Sequence, residues 1–245
     1  MAPAAVAPGA PGRGGHEAAG AVPPRLPVGV HRRRRSDSAA AGGRPVLPRL
    51  RVGAPVNRDY FEGIYAESAD PWDFAASPYE RRKYDLTLAA LPNARYSRAL
   101  EPGCSVGVLT ADLAARCDAL EAWEPIASPR REARARTAAM PHVTVREAVL
   151  GTDEPRPGDP IDLLVLSEVL YYLPDGELEG AVGTLLAHLA PGAHVVAVHW
   201  RHPIDGMELD GDAVHARLAK MPLTTIGSWL ERDFRIDVFS AGEGD

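Results

Sequence analysis

Short apolar segments alternate with helical segments along the chain from residue 97 onward. Each apolar segment is five or six residues long, which is typical of strands that are covered on both faces of a parallel sheet. The pattern predicts strands at residues 97–101, 119–123, 142–146, 161–166 and 194–199. It predicts helices at residues 108–116, 128–139, 177–189 and 211–220.

The end of the chain has a different arrangement. Pro191-Gly192 is a helix stop signal that leads into the strand at 194–199. Two final segments, 223–231 and 234–240, are separated only by the polar turn Arg232-Asp233, and so short a connection requires an antiparallel pair. The pattern therefore predicts an α/β fold: a Rossmann-like, seven-stranded, mostly parallel sheet with helices on both faces and an antiparallel C-terminal hairpin.

Residues 1–56 differ from the rest in composition. They carry nine Arg against Glu17 and Asp37, contain no aromatic residue, and are more than half Ala, Pro and Gly. Such a segment cannot bury enough apolar surface to offset the entropy lost on ordering. We expect either a disordered tail or an artefact of the choice of start site, followed by a folded domain over residues 57–245.

The charge of the folded part limits its partners. Subtracting the tail leaves 18 basic and 31 acidic side chains, a net charge of −13. Lys and Arg contacts to phosphate supply most nucleic-acid affinity, so DNA or RNA is excluded as the expected partner. We interpret the run from His31 to Arg35 as solvated charge.

Targeting and metal signals are absent from the sequence pattern. No apolar run approaches the ~18 residues of a membrane span, and the N-terminus lacks the apolar region of a signal peptide. The expected location is cytoplasmic. Cys104 and Cys117 are expected to be reduced core residues, and no Cys/His spacing of a zinc site occurs, so no metal is predicted.

The segment Glu101-Pro102-Gly103-Cys104-Ser105-Val106-Gly107 predicts a strand that breaks into a glycine turn and opens a helix. Gly103 and Gly107 let the backbone lie against a ligand. A dinucleotide fingerprint places paired glycines here to hold pyrophosphate, whereas this chain has one glycine fewer and a carboxylate, Glu101. A carboxylate repels pyrophosphate and suits a cationic aminoacyl group. In this the segment resembles the S-adenosylmethionine site of Rossmann-like methyltransferases.

Two further strand ends contribute candidate chemistry. Glu124 ends the second strand 23 residues after Glu101, close to the ~20-residue offset at which an acidic side chain accepts hydrogen bonds from a ribose diol. Ser167 to Leu173 follow the fourth strand. Because ligands bind at the carboxyl ends of strands in such sheets, both are expected to line the site.

A more specific resemblance extends over residues 57–245. The chain is similar to the S-adenosylmethionine-dependent methyltransferases of the nodulation protein S (NodS)-like family. The matching segments are Tyr60-Phe61, Asp70-Pro71-Trp72-Asp73-Phe74, Tyr79-Glu80-Arg81-Arg82-Lys83-Tyr84, Leu100-Glu101-Pro102-Gly103-Cys104-Ser105-Val106-Gly107, Ser167-Glu168-Val169-Leu170-Tyr171-Tyr172-Leu173 and His199-Trp200-Arg201. The resemblance implies a class I fold in which residues 57–96 form an N-terminal helical cap over a core at 97–245.

The resemblance also implies a function. NodS methylates the free amine of a de-N-acetylated chitooligosaccharide, so the expected activity is N-methylation of an amino sugar or saccharide-like small molecule with S-adenosyl-L-methionine. The expected cofactor-binding residues are Glu101, Gly103, Cys104, Gly107, Glu124, Ala148, Val149 and Ser167. The superfamily's Asp after the third strand is missing, so backbone amides at Ala148 and Val149, or nearby Asp153, are expected to meet adenine.

The predicted acceptor side has two sets of residues. Glu168 and His199 are candidate bases for the acceptor amine, and Tyr171 offers an aromatic face beside them. The predicted substrate and cap residues are Trp72, Tyr79, Arg82 and Trp200.

Three alternatives remain open on the sequence. One is O- or N-methylation of a natural product, another is a non-catalytic cofactor-binding module. The third, a nicotinamide-dependent oxidoreductase, requires two close glycines that the first turn does not supply. The oligomeric state is not predicted.

Overall fold

A computed structural model describes residues 58–242 of the chain. Its strands are β1 (Tyr96–Pro102), β2 (Cys117–Trp123), β3 (Val143–Arg146), β4 (Ile161–Ser167), β5 (Leu189–Trp200), β6 (Leu223–Leu230) and β7 (Phe234–Ala241). Its helices are α1 (Arg58–Glu67), α2 (Pro78–Ala90), α3 (Val108–Ala114), α4 (Ala127–Arg136), α5 (Leu178–Leu186) and α6 (Gly211–Leu218), with a short 3-10 helix at Leu170–Tyr172. The tail predicted at 1–56 lies outside the described residues.

The strands form one seven-stranded sheet in the order β3-β2-β1-β4-β5-β7-β6. Neighbours from β3 to β5 are parallel, and β7 is antiparallel to both β5 and β6. The predicted fold class is therefore confirmed. Because the strand order reverses between β1 and β4, a crevice for ligands is expected outside the carboxyl ends of these two strands.

Strand β4 explains the continuous apolar run in the sequence. Leu164 and Leu166 pack into the core on one face of the sheet, and Leu163 and Val165 pack into the core on the other. Successive side chains of a strand point to opposite faces, so a strand covered on both sides needs apolar residues at every position. Burial of each leucine side chain contributes roughly 1.5–3 kcal/mol.

Strand β5 begins earlier than predicted. It starts at Leu189 rather than 194, and its pairing with β4 shifts register between Leu189 and His194. Gly192 lies in this interval with a φ of 74°. Pro191-Gly192 therefore forms an irregularity within the strand rather than a stop before it, because the residues on both sides keep their pairing with β4.

Helices α1 and α2 lie against the carboxyl ends of the central strands. The hydroxyl of Tyr65 in α1 is 2.5 Å from that of Ser105 in the glycine turn. The ammonium of Lys83 in α2 is 2.5 Å from the carboxylate of Glu168 after β4. These contacts place the N-terminal helices over the region where the strand order reverses.

Gly107 joins the glycine turn to α3 and leaves no room for a side chain. Its φ is 76°, and a Cβ built on it lies 2.8 Å from both Cα and Cβ of Ala133 in α4. Replacement by alanine is expected to lower the free energy of unfolding by about 2 kcal/mol, because the left-handed conformation and the overpacking are both unfavourable. Chemical denaturation measures this change.

The matched control is Gly180→Ala in α5. Nothing lies within 4 Å of a Cβ at Gly180, so alanine is expected to raise the stability by roughly 0.5–1 kcal/mol through helix propensity. Equal effects of the two substitutions would contradict the packing argument.

Candidate functional site

The glycine turn after β1 lies directly against the end of β4. Gly103 has a φ of 76°, and a Cβ built there lies 3.0 Å from Cγ2 of Val169. Ser105, although not a glycine, has a φ of 50°. Positive φ at alternate turn positions folds the chain back sharply beside the switch point of the sheet.

Four backbone amides of the turn are already hydrogen-bonded within the protein. Those of Gly103 and Cys104 both donate to the last carbonyl of β2, each at 2.8 Å, and that of Gly107 donates within the turn at 2.9 Å. The amide of Ser105 donates to the Glu124 carboxylate at 3.0 Å. A pyrophosphate site needs free amides at a helix N-terminus. The four paired amides leave the turn few free donors for a pyrophosphate, which favours the methyltransferase over the oxidoreductase alternative.

Glu101 is a buried carboxyl group with an unpaired oxygen. Its side chain is at the carboxyl end of β1, and Oε2 has no hydrogen-bond partner among residues 58–242. Burial raises the pKa of Glu101 to about 8, an effect that the Thr110 hydroxyl opposes only in part. A buried carboxylate without a counter-charge is unfavourable, so a cationic ligand group at Oε2 fits this position.

Glu124 has a structural role that the sequence did not indicate. Its Oε1 accepts from the amide of Ile126 at 2.8 Å and its Oε2 from that of Ser105 at 3.0 Å. Burial raises its pKa to about 7, while these two amides lower it. Each carboxylate oxygen has two acceptor positions, so each keeps one for the predicted ribose hydrogen bonds beside the amide that it already binds.

Glu124→Ala is expected to have two effects. It lowers the free energy of unfolding by about 2 kcal/mol, because two amides lose their acceptor. It weakens the binding of S-adenosylhomocysteine by about 1.5–3 kcal/mol through the lost ribose contact. Glu124→Gln keeps one acceptor oxygen and is expected to lose less of both. Calorimetry and thermal unfolding measure the two quantities, and unchanged affinity in the alanine variant would reject the ribose assignment.

The predicted adenine contacts after β3 pair with one another. The amide of Val149 donates to the Asp153 carboxylate at 2.8 Å, and the Asp153 amide donates to the Val149 carbonyl at 2.9 Å. Ala148 is buried beside them. The adenine contact stays a prediction, and Asp153 is shown here to stabilise the loop that would carry it.

Glu168 lies at the centre of a hydrogen-bond network at the end of β4. Its Oε2 accepts from the Tyr171 hydroxyl, and from the backbone amide of Trp200 at 2.9 Å. Its Oε1 accepts from Lys83 at 2.5 Å. The φ of Glu168 is 56°, a strained conformation for a residue that is not glycine. The structure thus brings the predicted residues Tyr171 and Trp200 to the carboxylate of a third, Glu168.

Lys83 is the main residue of this network that the sequence analysis did not single out as a site residue. It lies in α2 with its side chain only 3% exposed, and its ammonium is 2.9 Å from Glu80 Oε2 as well as 2.5 Å from Glu168 Oε1. Burial lowers the pKa of Lys83, but the carboxylates of Glu168 and Glu80 raise it by more. The pKa of Lys83 is therefore above its ordinary value. Lys83 follows two other basic residues in α2, and nothing in the local sequence indicates that its side chain, unlike theirs, is buried.

His199 lies inside the core and not at the site surface. Its side chain is 0% exposed. Its Nε2 accepts from the Leu170 amide at 3.3 Å, and its Nδ1 is 3.2 Å from Nε2 of His215. Burial lowers its pKa well below the usual range. With both ring nitrogens engaged, His199 is positioned for a structural role rather than for the predicted role as base.

The chain of buried groups continues from His199 through His215 of α6 to strand β7. His215 Nδ1 is 2.7 Å from Oδ2 of Asp237 in β7. Burial raises the pKa of Asp237, but bonds from His215, Ser228 and Arg235 overcome this and lower it to about 2. Because Nε2 of His199 accepts from a backbone amide, the proton of that ring lies on Nδ1 and faces Nε2 of His215.

The remaining predicted residues are spread around the crevice. Trp72 stacks on Phe74 with ring centroids 5.5 Å apart. Tyr79 meets the Trp200 ring edge-on at 6.1 Å. The Arg82 guanidinium forms a two-pronged ion pair with Glu231, each bond 2.7 Å. The structure therefore brings Tyr79 and Trp200 into contact, whereas Arg82 is bound to the β6–β7 turn.

Two other predicted site residues lie at strand ends. Ser167 is the last residue of β4 and is half-buried, paired in register with Val198 of β5. Cys104 is buried in the glycine turn, and burial raises the pKa of its thiol well above the usual range. Their proposed contacts with a cofactor stay predictions.

The described residues contain neither a metal-binding cluster nor a membrane-spanning helix. Among residues 58–242, no group of three or more His, Cys, Asp or Glu side chains is arranged to hold a metal ion. Within that range no helix is both long and apolar enough to span a membrane.

A family model and two curated relatives that match this chain carry the same name. The family model for nodulation protein S (NodS) matches residues 58–205. Nodulation protein S from Rhizobium tropici is 35% identical over 151 residues, which is 60% of this chain and 63% of the relative. The protein of the same name from Sinorhizobium fredii is 33% identical over 52% of this chain and 59% of its own length. These matches cover less than two thirds of either relative.

Solved structures resemble the chain over a larger share. A candidate methyltransferase from Pseudomonas syringae is 41% identical, with a TM-score of 0.58, over 66% of this chain and 98% of its own. The N-methyltransferase NodS from Bradyrhizobium japonicum WM9, in complex with S-adenosyl-L-homocysteine, is 26% identical, with a TM-score of 0.68. That match covers 77% of this chain and 100% of the other.

Proposed function

This chain belongs to the nodulation protein S (NodS) family, and on that premise we propose that it is an S-adenosylmethionine-dependent N-methyltransferase. The proposed acceptor is the amine of an amino sugar or saccharide-like small molecule. The observation that carries the proposal is the unpaired, buried Oε2 of Glu101 beside a glycine turn in which four amides are already bonded. Such a turn suits a cationic aminoacyl group and not a phosphate.

The cofactor site is proposed to use the ends of β1 and β2. Glu101 pairs with the aminoacyl ammonium, Gly103 leaves room for close approach, and Glu124 accepts from the ribose hydroxyls. The relative from B. japonicum was crystallised with S-adenosyl-L-homocysteine, which supports the same class of ligand here. When bound, S-adenosylmethionine supplies the methyl group that the amine takes up.

The acceptor side is proposed to use the end of β4. An amine attacks with its lone pair, so an acceptor ammonium must first lose a proton. Glu168 has an acceptor position left on Oε1 beyond the bond from Lys83, and its side chain is 15% exposed. Tyr171 and the Trp200 amide hold Oε2, so Oε1 is the atom that takes the proton. Alignment of the amine and exclusion of water supply the rest of the rate.

The function is tested with purified full-length chain, S-adenosylmethionine and two sets of acceptors. Chitooligosaccharides with one free amine form the first set, and phenolic natural products form the second. Mass spectrometry is expected to show one added methyl group on the nitrogen of the first set only. Product on phenolic oxygens alone would establish the O-methyltransferase alternative. Tight S-adenosylhomocysteine binding with no product from any acceptor would establish a cofactor-binding module.

We also propose a cytoplasmic location, because the methyl donor is a cytoplasmic metabolite. Fractionation of cells that express the full chain tests this point, and recovery of the protein with the membrane or secreted fraction would contradict it.

A further inference from the structure

Two carboxylates and one ammonium are buried together beneath the proposed acceptor site. Glu80 and Lys83 have side chains 7% and 3% exposed, and Glu168 is the only member that reaches the crevice, at 15%. An ammonium at this depth is unfavourable unless it is paired. Lys83 is paired on both sides, and one of its partners is the carboxylate that faces the acceptor.

The geometry of Glu168 depends on these partners. Its backbone has a positive φ and donates from its amide to the Val198 carbonyl at 2.8 Å. Lys83 contributes the sole bond that the structure gives to Oε1 among the described residues. Removal of the lysine would therefore take away the bond to the oxygen that meets the acceptor and leave only the two bonds to Oε2.

The network carries an excess of negative charge, because two carboxylates face one ammonium. An acceptor with a cationic group brings the network to neutrality. An acceptor with a neutral hydroxyl leaves the excess negative charge buried and poorly solvated. Buried charges of one sign strongly favour a ligand of the other sign.

The hydroxyl group of Tyr79 lies beside the same network without a hydrogen-bond partner among the described residues. The hydroxyl oxygen is buried, and the Tyr79 ring centroid is 5.4 Å from the Lys83 nitrogen. Burial raises the pKa of this phenol, and the negative charges of Glu168 and Glu80 raise it further. The hydroxyl is therefore close enough to both carboxylates to interact with their charge. An unpaired buried hydroxyl is rare and suits a polar atom of the acceptor.

We infer that the Glu80–Lys83–Glu168 network selects an acceptor that arrives as an ammonium ion. Lys83 and Glu80 are positioning residues: Lys83 orients the Glu168 carboxylate, and Glu80 adds the second negative charge of the network. The inference rests on the proposed function and deepens it. The titratable groups around Glu168 are Tyr79, Glu80, Lys83 and Tyr84 from α2, and Tyr171 and Tyr172 from the 3-10 helix.

The decisive variant is Glu80→Gln, which is nearly isosteric and contacts Lys83 but not the acceptor. Calorimetry on protein saturated with S-adenosylhomocysteine compares two probes, a chitooligosaccharide with one free amine and its fully N-acetylated form. Glu80→Gln is expected to weaken binding of the amine probe about tenfold, with less than about a twofold change for the acetylated probe. The control is Asp85→Asn on the same helix, where the side chain is 63% exposed; neither probe is expected to change.

Equal losses for both probes, or no loss for the amine probe, would overturn the inference. The binding comparison needs no turnover, so an absence of methylated product in the wild type counts against the proposed function and not against this result.

Lys83→Met and Lys83→Arg test the orienting role of the lysine. Lys83→Met is expected to lower kcat with the amine acceptor about tenfold, because Oε1 of Glu168 loses the bond from the ammonium. Lys83→Arg keeps a cationic donor and is expected to restore most of that loss, and equal losses in the two variants would also overturn the inference.

Discussion

Glu101→Gln is expected to weaken S-adenosylhomocysteine binding by about a hundredfold or more. Removal of one partner from a buried ion pair typically costs about 3–5 kcal/mol, because the other charge stays buried without compensation. Glutamine keeps the shape of the side chain and removes its charge. Calorimetry measures the loss, and Glu132→Gln, an exposed site on α4, serves as the control. An affinity within a few fold of the wild type would reject pairing between Glu101 and the aminoacyl group.

The same position predicts how binding depends on pH. Burial raises the pKa of Glu101 to about 8 in the free protein. Below that pH the carboxyl holds a proton that it must release to pair with an ammonium, so the wild-type affinity is expected to fall between pH ~8 and pH ~6, by at most about tenfold per pH unit. Glu101→Gln has no such proton, and its weaker binding is expected to vary less over this range.

Glu101 also links the site to stability. Because its folded pKa lies above its ordinary value of 4.5, the folded chain holds the proton more tightly than the unfolded chain does. Stability therefore falls as the pH rises from about 5 to about 8. The ligand-free Glu101→Gln variant is expected to melt at a higher temperature than the wild type at pH ~8, although it binds ligand less well. A lower melting temperature would indicate that Glu101 stabilises the empty fold.

Glu168→Gln is expected to lower kcat about 10²–10³-fold, because a positioned proton acceptor contributes a factor of this size. Its amide is close in shape to the carboxylate but does not take a proton from the acceptor. S-adenosylhomocysteine binding is expected to change little, since Glu168 lies on the acceptor side. Steady-state kinetics with an amine acceptor measure kcat, and Glu177→Gln, exposed before α5, is the control. A kcat near that of the wild type would show that water removes the proton without Glu168.

Local patterns predicted most of the fold. The apolar segments in the sequence became the central strands, and the Arg232-Asp233 turn became the connection between β6 and β7. Errors were confined to element ends. Strand β5 began at Leu189 because its pairing with β4 continues across Pro191-Gly192, and sequence near a Pro-Gly pair does not reveal a distant pairing partner.

The site was predictable only in part. The glycine turn and Glu101 were visible in one continuous segment, because backbone conformation and an adjacent carboxylate are local properties. The Lys83–Glu168 pair joins residues 85 positions apart, and no local pattern signals such a contact. His199 was a reasonable candidate base by type and position, yet its ring packs inside the core against His215.

The sequence alone determined the fold class, the glycine turn and the resemblance to a methyltransferase family, because side-chain periodicity and turn chemistry act over a few residues. Only the tertiary structure decided which strand-end groups face the crevice. It buried His199, paired Glu124 with two amides, and placed Lys83 between Glu80 and Glu168. The physical reason is that burial and ion pairing depend on how α2 packs against the sheet, and that packing joins parts of the chain far apart in sequence.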